Sequence, residues 1–475
     1  MDFLAENGCN PGRNTQILAP VNRTDFGRLT LRPLVLIGLG LFIIAGAPLS
    51  PTLRAQDALV AAIDPVDPTP LVSDTSPYPE PPLPSSSENS VPSSTDTARG
   101  DLGVPRRFHY QLRLNAHAVY DDNINISNGD RISDIYTAIE PSITFGFGDL
   151  KSGDANFILV NYMASLFLFA DHDENDALQH LFQLQGQYQL SRLTLSLTQS
   201  IQILDGTDLR NLDSSTGNFG QQVNLDVAGR TRYNIYDTRV NAAYYLTGKT
   251  FLSVGGDYSL SDYDTLISSS TASANIFINY NYSPKLVIGL GGTFGKTMVD
   301  DPNPDETFQQ GNIRLSYQAT GKIDLAASAG VEVRHFDGDL RDEYVTPVFE
   351  LTLNYLPFDG TRIFLTANRR TNNSAVLLGQ DFAVTNFTAG IQQRFLQRFT
   401  LAFDAGYENG DYFSTVGAPG ADRLDNYFFV EPSITVRVTR FWTLGAYYLH
   451  RANDSSFDAF SFHDNQVGVR TSLEF

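Results

Sequence analysis

From about Arg106 to Phe475, apolar and polar residues alternate with a period of two. Val467, Val469, Thr471, Leu473 and Phe475 fall on one face, and Gln466, Gly468, Arg470, Ser472 and Glu474 on the other. The code recurs at Ile323 to Arg334, Phe399 to Glu408 and Leu193 to Thr198. Period-two alternation places successive side chains on opposite faces of a strand. The segments run about 10 to 15 residues, longer than the usual soluble strand and long enough to cross a bilayer with tilt. Eighteen such segments are counted between 107–121 and 461–475. The stretch 205–232 is the least regular, and sixteen is the alternative count.

The connections alternate too. Short ones include Ser191-Arg192, Gly248-Lys249, Pro284-Lys285 and Gly321-Lys322. Long ones include 121–133, 205–230, 299–306, 337–343 and 408–426. Short turns at one rim and long loops at the other are the asymmetry of transmembrane β-barrels. The predicted fold is therefore all-β: a transmembrane antiparallel up-and-down β-barrel of about 18 strands over 106–475, with a polar lumen. Ile139-Glu140-Pro141-Ser142-Ile143-Thr144-Phe145 returns as Val430-Glu431-Pro432-Ser433-Ile434-Thr435-Val436. Proline within a strand predicts a local bulge at both places.

The chain before the barrel differs. Residues 1–55 read as a signal region, with an apolar stretch at 34–47 preceded by Arg23, Arg28 and Arg32. Candidate cleavage sites are Ala45-Gly46-Ala47 and Leu53-Arg54-Ala55. Residues 56–105 are rich in Pro and Ser and read as a disordered periplasmic linker, because they offer too little apolar surface to offset chain entropy.

The 475-residue chain carries a net charge of −20, which argues against nucleic acid as a partner. Its single cysteine, Cys9, excludes a disulfide framework. Acidic residues gather in the predicted loops, among them Asp121, Asp122, Asp171, Asp173, Asp300, Asp301 and Glu306. Basic residues gather in the short turns, at Arg192, Lys249, Lys285, Lys322, Arg398 and Arg440. The alternation directs a mixed set of charges into the lumen: Arg113, Glu140, Arg239, Asp257, Arg314, Asp324, Glu332, Arg334, Glu350, Arg362, Arg394, Asp404, Glu431, Arg437 and Arg470. Such charges define a field across a pore, or hold a large barrel round. Confinement of charge to the inner face is expected, since Arg or Lys on the lipid face costs about 2–4 kcal/mol at mid-bilayer.

No enzyme chemistry is legible. The seven histidines form no HExxH or comparable metal pair, and no phosphate loop or nucleophile elbow is present. No cofactor, metal or catalytic residue is expected. Ser127-Asn128-Gly129 is similar to the SNG of outer-membrane phospholipases, but the Gly-x-x-His that precedes it there is missing. A lipid-modifying enzyme would need Ser127 paired with a histidine such as His172.

Three motifs carry a family resemblance. Val119-Tyr120-Asp121-Asp122-Asn123-Ile124 closes the first strand; Tyr244-Tyr245 precede a Thr247-Gly248-Lys249-Thr250 turn; Asn279-Tyr280 lead to Ser283-Pro284-Lys285-Leu286. On these the chain resembles the outer-membrane beta-barrel porin family associated with exopolysaccharide systems. The resemblance implies a porin-like pore in the outer membrane of a Gram-negative envelope, passing solutes or assisting export of a surface polysaccharide. The alternative is a non-conducting structural or assembly component of an export machine, plugged by its own loops, with 205–231 the first candidate plug. Val467, Val469, Thr471, Leu473 and Phe475 look like the signal read by the barrel-assembly machinery. Implied partners are that machinery, outer-membrane lipid and lipopolysaccharide, and polysaccharide-export components.

Overall fold

The computed structural model describes residues 108–148, 156–208, 221–227, 229–337, 343–415 and 422–475. The signal and linker expectations over 1–105 lie outside them.

The alternation resolves into eighteen strands: β1 Phe108–Asp121, β2 Asp134–Gly148, β3 Phe157–Phe169, β4 Ala177–Gln189, β5 Leu193–Gly206, β6 Thr231–Tyr245, β7 Thr250–Tyr263, β8 Ser269–Ser283, β9 Leu286–Val299, β10 Glu306–Gln318, β11 Ile323–Phe336, β12 Tyr344–Tyr355, β13 Thr361–Asn373, β14 Gln380–Phe395, β15 Phe399–Ser414, β16 Leu424–Thr439, β17 Trp442–Ser455 and β18 Phe462–Glu474. Helix among the described residues is confined to two short 3-10 turns, Asp173–Asn175 and Asp458–Phe460. Each strand pairs antiparallel with its sequence neighbours, and β1 pairs with β18, so the sheet closes. Eighteen is therefore the count, and the sixteen-strand alternative falls.

Burial follows parity. In β10, Phe308, Asn312, Arg314 and Ser316 are buried, while Ile313 is 59% exposed. The exposed parity is apolar around the barrel, as in Leu290, Ile276, Leu401 and Val469. That surface suits lipid; the other parity faces the lumen.

The closing seam is built from the first family motif. Backbone pairing of β1 with β18 ends at Asp121 and Gln466. Asp121 then accepts from the Asn123 amide at 2.7 Å and from Gln466 Nε2 at 2.9 Å. Asp122 accepts from the Asn465 amide and side chain at 2.8 and 2.7 Å. Asn123 donates to the carbonyls of Ser127 and His463 at 2.9 and 2.8 Å. Asp-Asp-Asn thus clasps the two ends of the sheet where ladder bonds run out.

The Glu-Pro repeats correct one expectation. The ladder between β2 and β3 skips from Ile139–Leu166 to Ser142–Met163, and that between β16 and β17 from Val430–His450 to Ser433–Tyr447. Register is the same on both sides of each skip, so no extra residue is inserted. Proline, which has no N–H, leaves a gap rather than a bulge.

Glycines on the inner face let aromatic rings lie flat on the wall. A Cβ on Gly406 would stand 2.2 Å from the Phe429 ring, and one on Gly468 2.3 Å from the Tyr447 ring.

The wall is uneven on one side. Pairing of β12 with β13 runs from Tyr355–Ile363 to Phe349–Arg369 and stops there, although β12 continues to Tyr344 and β13 to Asn373. Pro347 sits in the unpaired part. Beyond the split, β13–β15 lean across the lumen. Phe413, on the parity that faces lipid lower down, stacks on inward Tyr344 with centroids 4.0 Å apart. Thr371 O accepts from inward Arg334 at 3.3 Å.

Candidate pore and its constriction

Loops at the long-loop rim meet over the lumen. The loop joining β5 to β6, 207–230 (L3), has its described segment 221–227 buried inside the barrel. Val223, Leu225 and Val227 are 4%, 8% and 5% exposed. Val223 and Leu225 pack in one apolar cluster with Val119, Tyr136, Tyr427, Phe429 and Leu449 from β1, β2, β16 and β17. Those residues belong to the strand wall, so the segment reaches across from β5–β6 to the seam side.

Polar contacts fix the segment. Asp226 accepts from Ser374 Oγ at 2.7 Å and from the Ala375 amide at 2.5 Å, both in the β13–β14 loop 374–379 (L7). Arg423, fully buried, donates to the carbonyls of Leu225 and Asp226, ion-pairs with Asp425, and lies 3.4 Å from the Phe460 ring centroid. Gln221 donates to Glu431 Oε2 at 2.6 Å, and its carbonyl accepts from Tyr427 Oη at 2.7 Å. L7 in turn reaches the loops after β7 and β9: Ala375 O accepts from Ile267 N, and the Gly379 amide donates to Asn303 Oδ1 at 2.7 Å. Burial pushes the Asp226 carboxyl above its ordinary 3.8, outweighing the hydrogen bonds and Arg423, which act the other way.

The residues expected to line the lumen all fall on the inner parity, but they divide by depth. Glu140, Arg314, Glu332, Arg334, Asp404 and Glu431 are buried within the wall. Arg113, Arg239, Asp257, Asp324, Glu350, Arg362, Arg437 and Arg470 are partly accessible, and Arg394 is exposed at the turn rim. The buried set is wired into structure. Arg334 ion-pairs with Glu306 and with Glu332 at 3.0 Å, and lies 3.8 Å from Asp381. Arg314 donates to Asn279 Oδ1 at 2.7 Å and Ser253 Oγ at 3.0 Å, with its guanidinium 4.2 Å from the Phe277 centroid. Asn279 belongs to the third family motif. Glu140 accepts from Ser165 at 2.7 Å, with His117 at 3.5 Å. Asp404 and Glu431 are cross-strand neighbours, a like-charge pair. Among the accessible set, Arg239 pairs with Asp257 at 2.9 Å and Arg113 with Glu474 at 3.3 Å.

Sequence reading missed Asp226 and Arg423, which fix the segment that roofs the lumen, Arg451, which ties Asp208 of L3 to the wall, and Asp381 beside Arg334. One signal was available: Val223, Leu225 and Val227 alternate in a loop, where apolar periodicity has no solvent-side reason. Asp121 and Glu306, expected in loops, are inward strand ends. Confinement of charge to the inner face is also incomplete. Arg369 has outward parity at the β12–β13 split and donates to Thr385 Oγ1 at 2.5 Å.

Asp121, Asp122 and Asp464 place carboxylate oxygens within 4.8 Å of one another at the seam. Their neighbours are the clasp donors above and Arg451, 2.5 Å from Asp464. Ser127 and His172 keep separate company: Ser127 Oγ accepts from the Asp130 amide at 3.2 Å, and His172 Nδ1 meets Asp134 at 3.0 Å.

A closed antiparallel barrel with an apolar outer surface, a polar interior and loops gathered at one rim defines a porin-like outer-membrane β-barrel. Residues 311–475 match the family described as "Putative beta-barrel porin 2". The match lies C-terminal to all three motifs of the resemblance. No curated protein matches the chain. Among solved structures it is similar to the outer membrane protein OpdK from Pseudomonas aeruginosa, at 12% identity over 77% of this chain and 99% of that one, TM-score 0.40. It is also similar to P. aeruginosa OccK2 (OpdF) in complex with glucuronate, at 12% identity over 78% and 98%, TM-score 0.41. Acinetobacter baumannii OccAB4 gives 10% identity over 77% and 98%, TM-score 0.39. Identity at this level transfers neither solute nor site residues.

Proposed function

We propose that the protein is a non-enzymatic, loop-restrained pore of the outer membrane that assists passage of a surface polysaccharide. The observation that carries the restrained state is the burial of 221–227 between the seam wall, L7 and Arg423. The pore reading rests on the porin match over 311–475 and on accessible inward charge below the roof. The polysaccharide follows from the resemblance of the sequence motifs. In this reading the accessible charges, Arg239, Asp257, Asp324, Glu350, Arg362, Arg394, Arg437 and Arg470, set the field, and the buried ones hold the wall. The same latch favours the second reading, a plugged scaffold in an export machine.

Planar-bilayer recording of the refolded full chain separates the two. The wild type is expected to show brief, small openings, and Asp226→Ala or deletion of 221–227 long, large ones. A barrel silent in every variant, while folded by heat-dependent gel mobility, defeats the pore and leaves the scaffold.

A further inference from the structure

The lower wall of β4 and β5 is uninterruptedly neutral and polar. On β4 the inner parity reads Gln183, Gln185, Gln187 and Gln189 toward the turn rim. On β5 it reads Ser200, Thr198, Ser196 and Thr194 over the same height. Register pairs them directly: Gln183 with Ser200, Gln185 with Thr198, Gln187 with Ser196, Gln189 with Thr194. Four consecutive rungs each set an amide opposite a hydroxyl. With about 3.4 Å per residue along a strand, they span about 20 Å; Gln183 at the upper end and Thr194 at the lower are buried, and the residues between are partly accessible. Neither strand places a charge on this stretch, whereas the next inward position across from β5 begins the charged wall with Arg239, opposite Thr198 and paired to Asp257.

Polar-in, apolar-out alternation demands only that inward residues be polar; β8 and β9 also meet it without charge, but glycine and aromatic positions such as Phe277–Gly291 and Ser273–Gly295 interrupt the run there. A run of groups that each both donate and accept, with no charge, is a narrower choice. Above its top rung are buried acceptors lacking donors, Gln202 Oε1 opposite Leu181 and Gln179 Oε1 one inward step higher. Above the rungs the wall turns apolar, with Leu181, Leu204, Tyr233 and Met163 packed together. The strip therefore begins at the turn rim and ends beneath the roof, on the side from which an outgoing polymer enters.

We infer that this strip is a binding track for an uncharged polyhydroxylated chain, a neutral saccharide, which slides along amide–hydroxyl rungs that can exchange hydrogen bonds without desolvating a charge. This deepens the polysaccharide reading and rests on it. Anionic saccharide would instead be drawn to the arginine-bearing wall.

The test uses the full chain in detergent micelles with maltohexaose as probe, oligogalacturonate of equal length as charged comparator, and calorimetric titration as readout. Maltohexaose is expected to bind wild type at least tenfold more tightly than the Gln183→Leu/Gln185→Leu/Gln187→Leu variant, and more tightly than the galacturonate. Gln185→Thr/Gln187→Thr, which keeps hydrogen-bonding groups, is expected to bind within about twofold of wild type. Should the leucine variant fail to fold, Gln185→Ala replaces it, with a threefold loss expected. No maltohexaose binding, unchanged binding in the leucine or alanine variant, or preference for galacturonate overturns the track. Conductance of the same preparations tests the pore separately. Binding without conductance in Asp226→Ala sinks the pore and spares the track. Conductance without binding does the reverse.

Discussion

Two arginines of the same parity show what a residue can and cannot disclose alone. Arg334 and Arg362 both alternate inward, yet Arg334 is 4% exposed and surrounded by Glu306, Glu332 and Asp381, while Arg362 is partly accessible and meets Asn354 at 3.0 Å. Truncating Arg334 strands buried carboxylates, so Arg334→Ala is expected to destabilise the barrel by about 3–5 kcal/mol in urea unfolding from micelles. Arg362→Gln is expected to cost under about 1 kcal/mol on the same measurement. Parity was legible in the sequence because a strand has only two faces. Depth was not, because Arg334 is covered by Asp381, which the leaning of β13–β15 brings over from the opposite parity. Glycine packing belongs to this scale as well. Gly468→Ala would press on the Tyr447 ring and is expected to cost about 1–3 kcal/mol, measured the same way.

At the scale of elements, the loop latch has a pH dependence whose sign follows from Asp226. Docking raises its carboxyl above 3.8, so the docked loop binds protons more readily than the undocked one. Docking therefore strengthens as pH falls through the raised value, and the gain is complete below about 3.8. Open probability in bilayers is expected to fall on acidification from pH 7 toward 4, and to lose that component in Asp226→Asn. A rise on acidification would contradict the assignment. Strand ends were readable to within a residue or two across most of the barrel, since turns rich in Gly, Pro and Lys punctuate the alternation. The length of L3 was readable also. Its landing site was not: Ser374 lies 148 positions from Asp226 in the chain, and nothing local to either marks the pair. The Glu-Pro repeats misled for a related reason. Proline announces a missing ladder bond, but whether the strand then inserts a residue depends on its partner.

Across the whole molecule, charge is graded along the barrel axis. Loops carry Asp122, Asp171, Asp173, Glu174, Asp300 and Asp301 at one mouth. Inner-face arginines Arg113, Arg362, Arg394 and Arg437 gather toward the other, against Asp324 and Glu474. A field that changes sign along a channel passes current unequally in the two directions. Open channels are expected to rectify, and Arg362→Gln/Arg394→Gln/Arg437→Gln to reduce the ratio of currents at opposite voltages by at least half, in low salt where screening is weak. Symmetric currents in the unmodified channel would remove this reading.

A closed barrel owes its resistance to rupture to each strand having a neighbour on both sides. Between Tyr344–Val348 and 370–373 that mutual support is missing, and the wall there is held by Arg334, Phe413 and Tyr344 instead of by a ladder. Backbone amides on either side of this line will trade their hydrogens with water well ahead of those in the paired strands around them. Mechanically the molecule has one preferred crease, and pulling or swelling of the cylinder will start at Pro347.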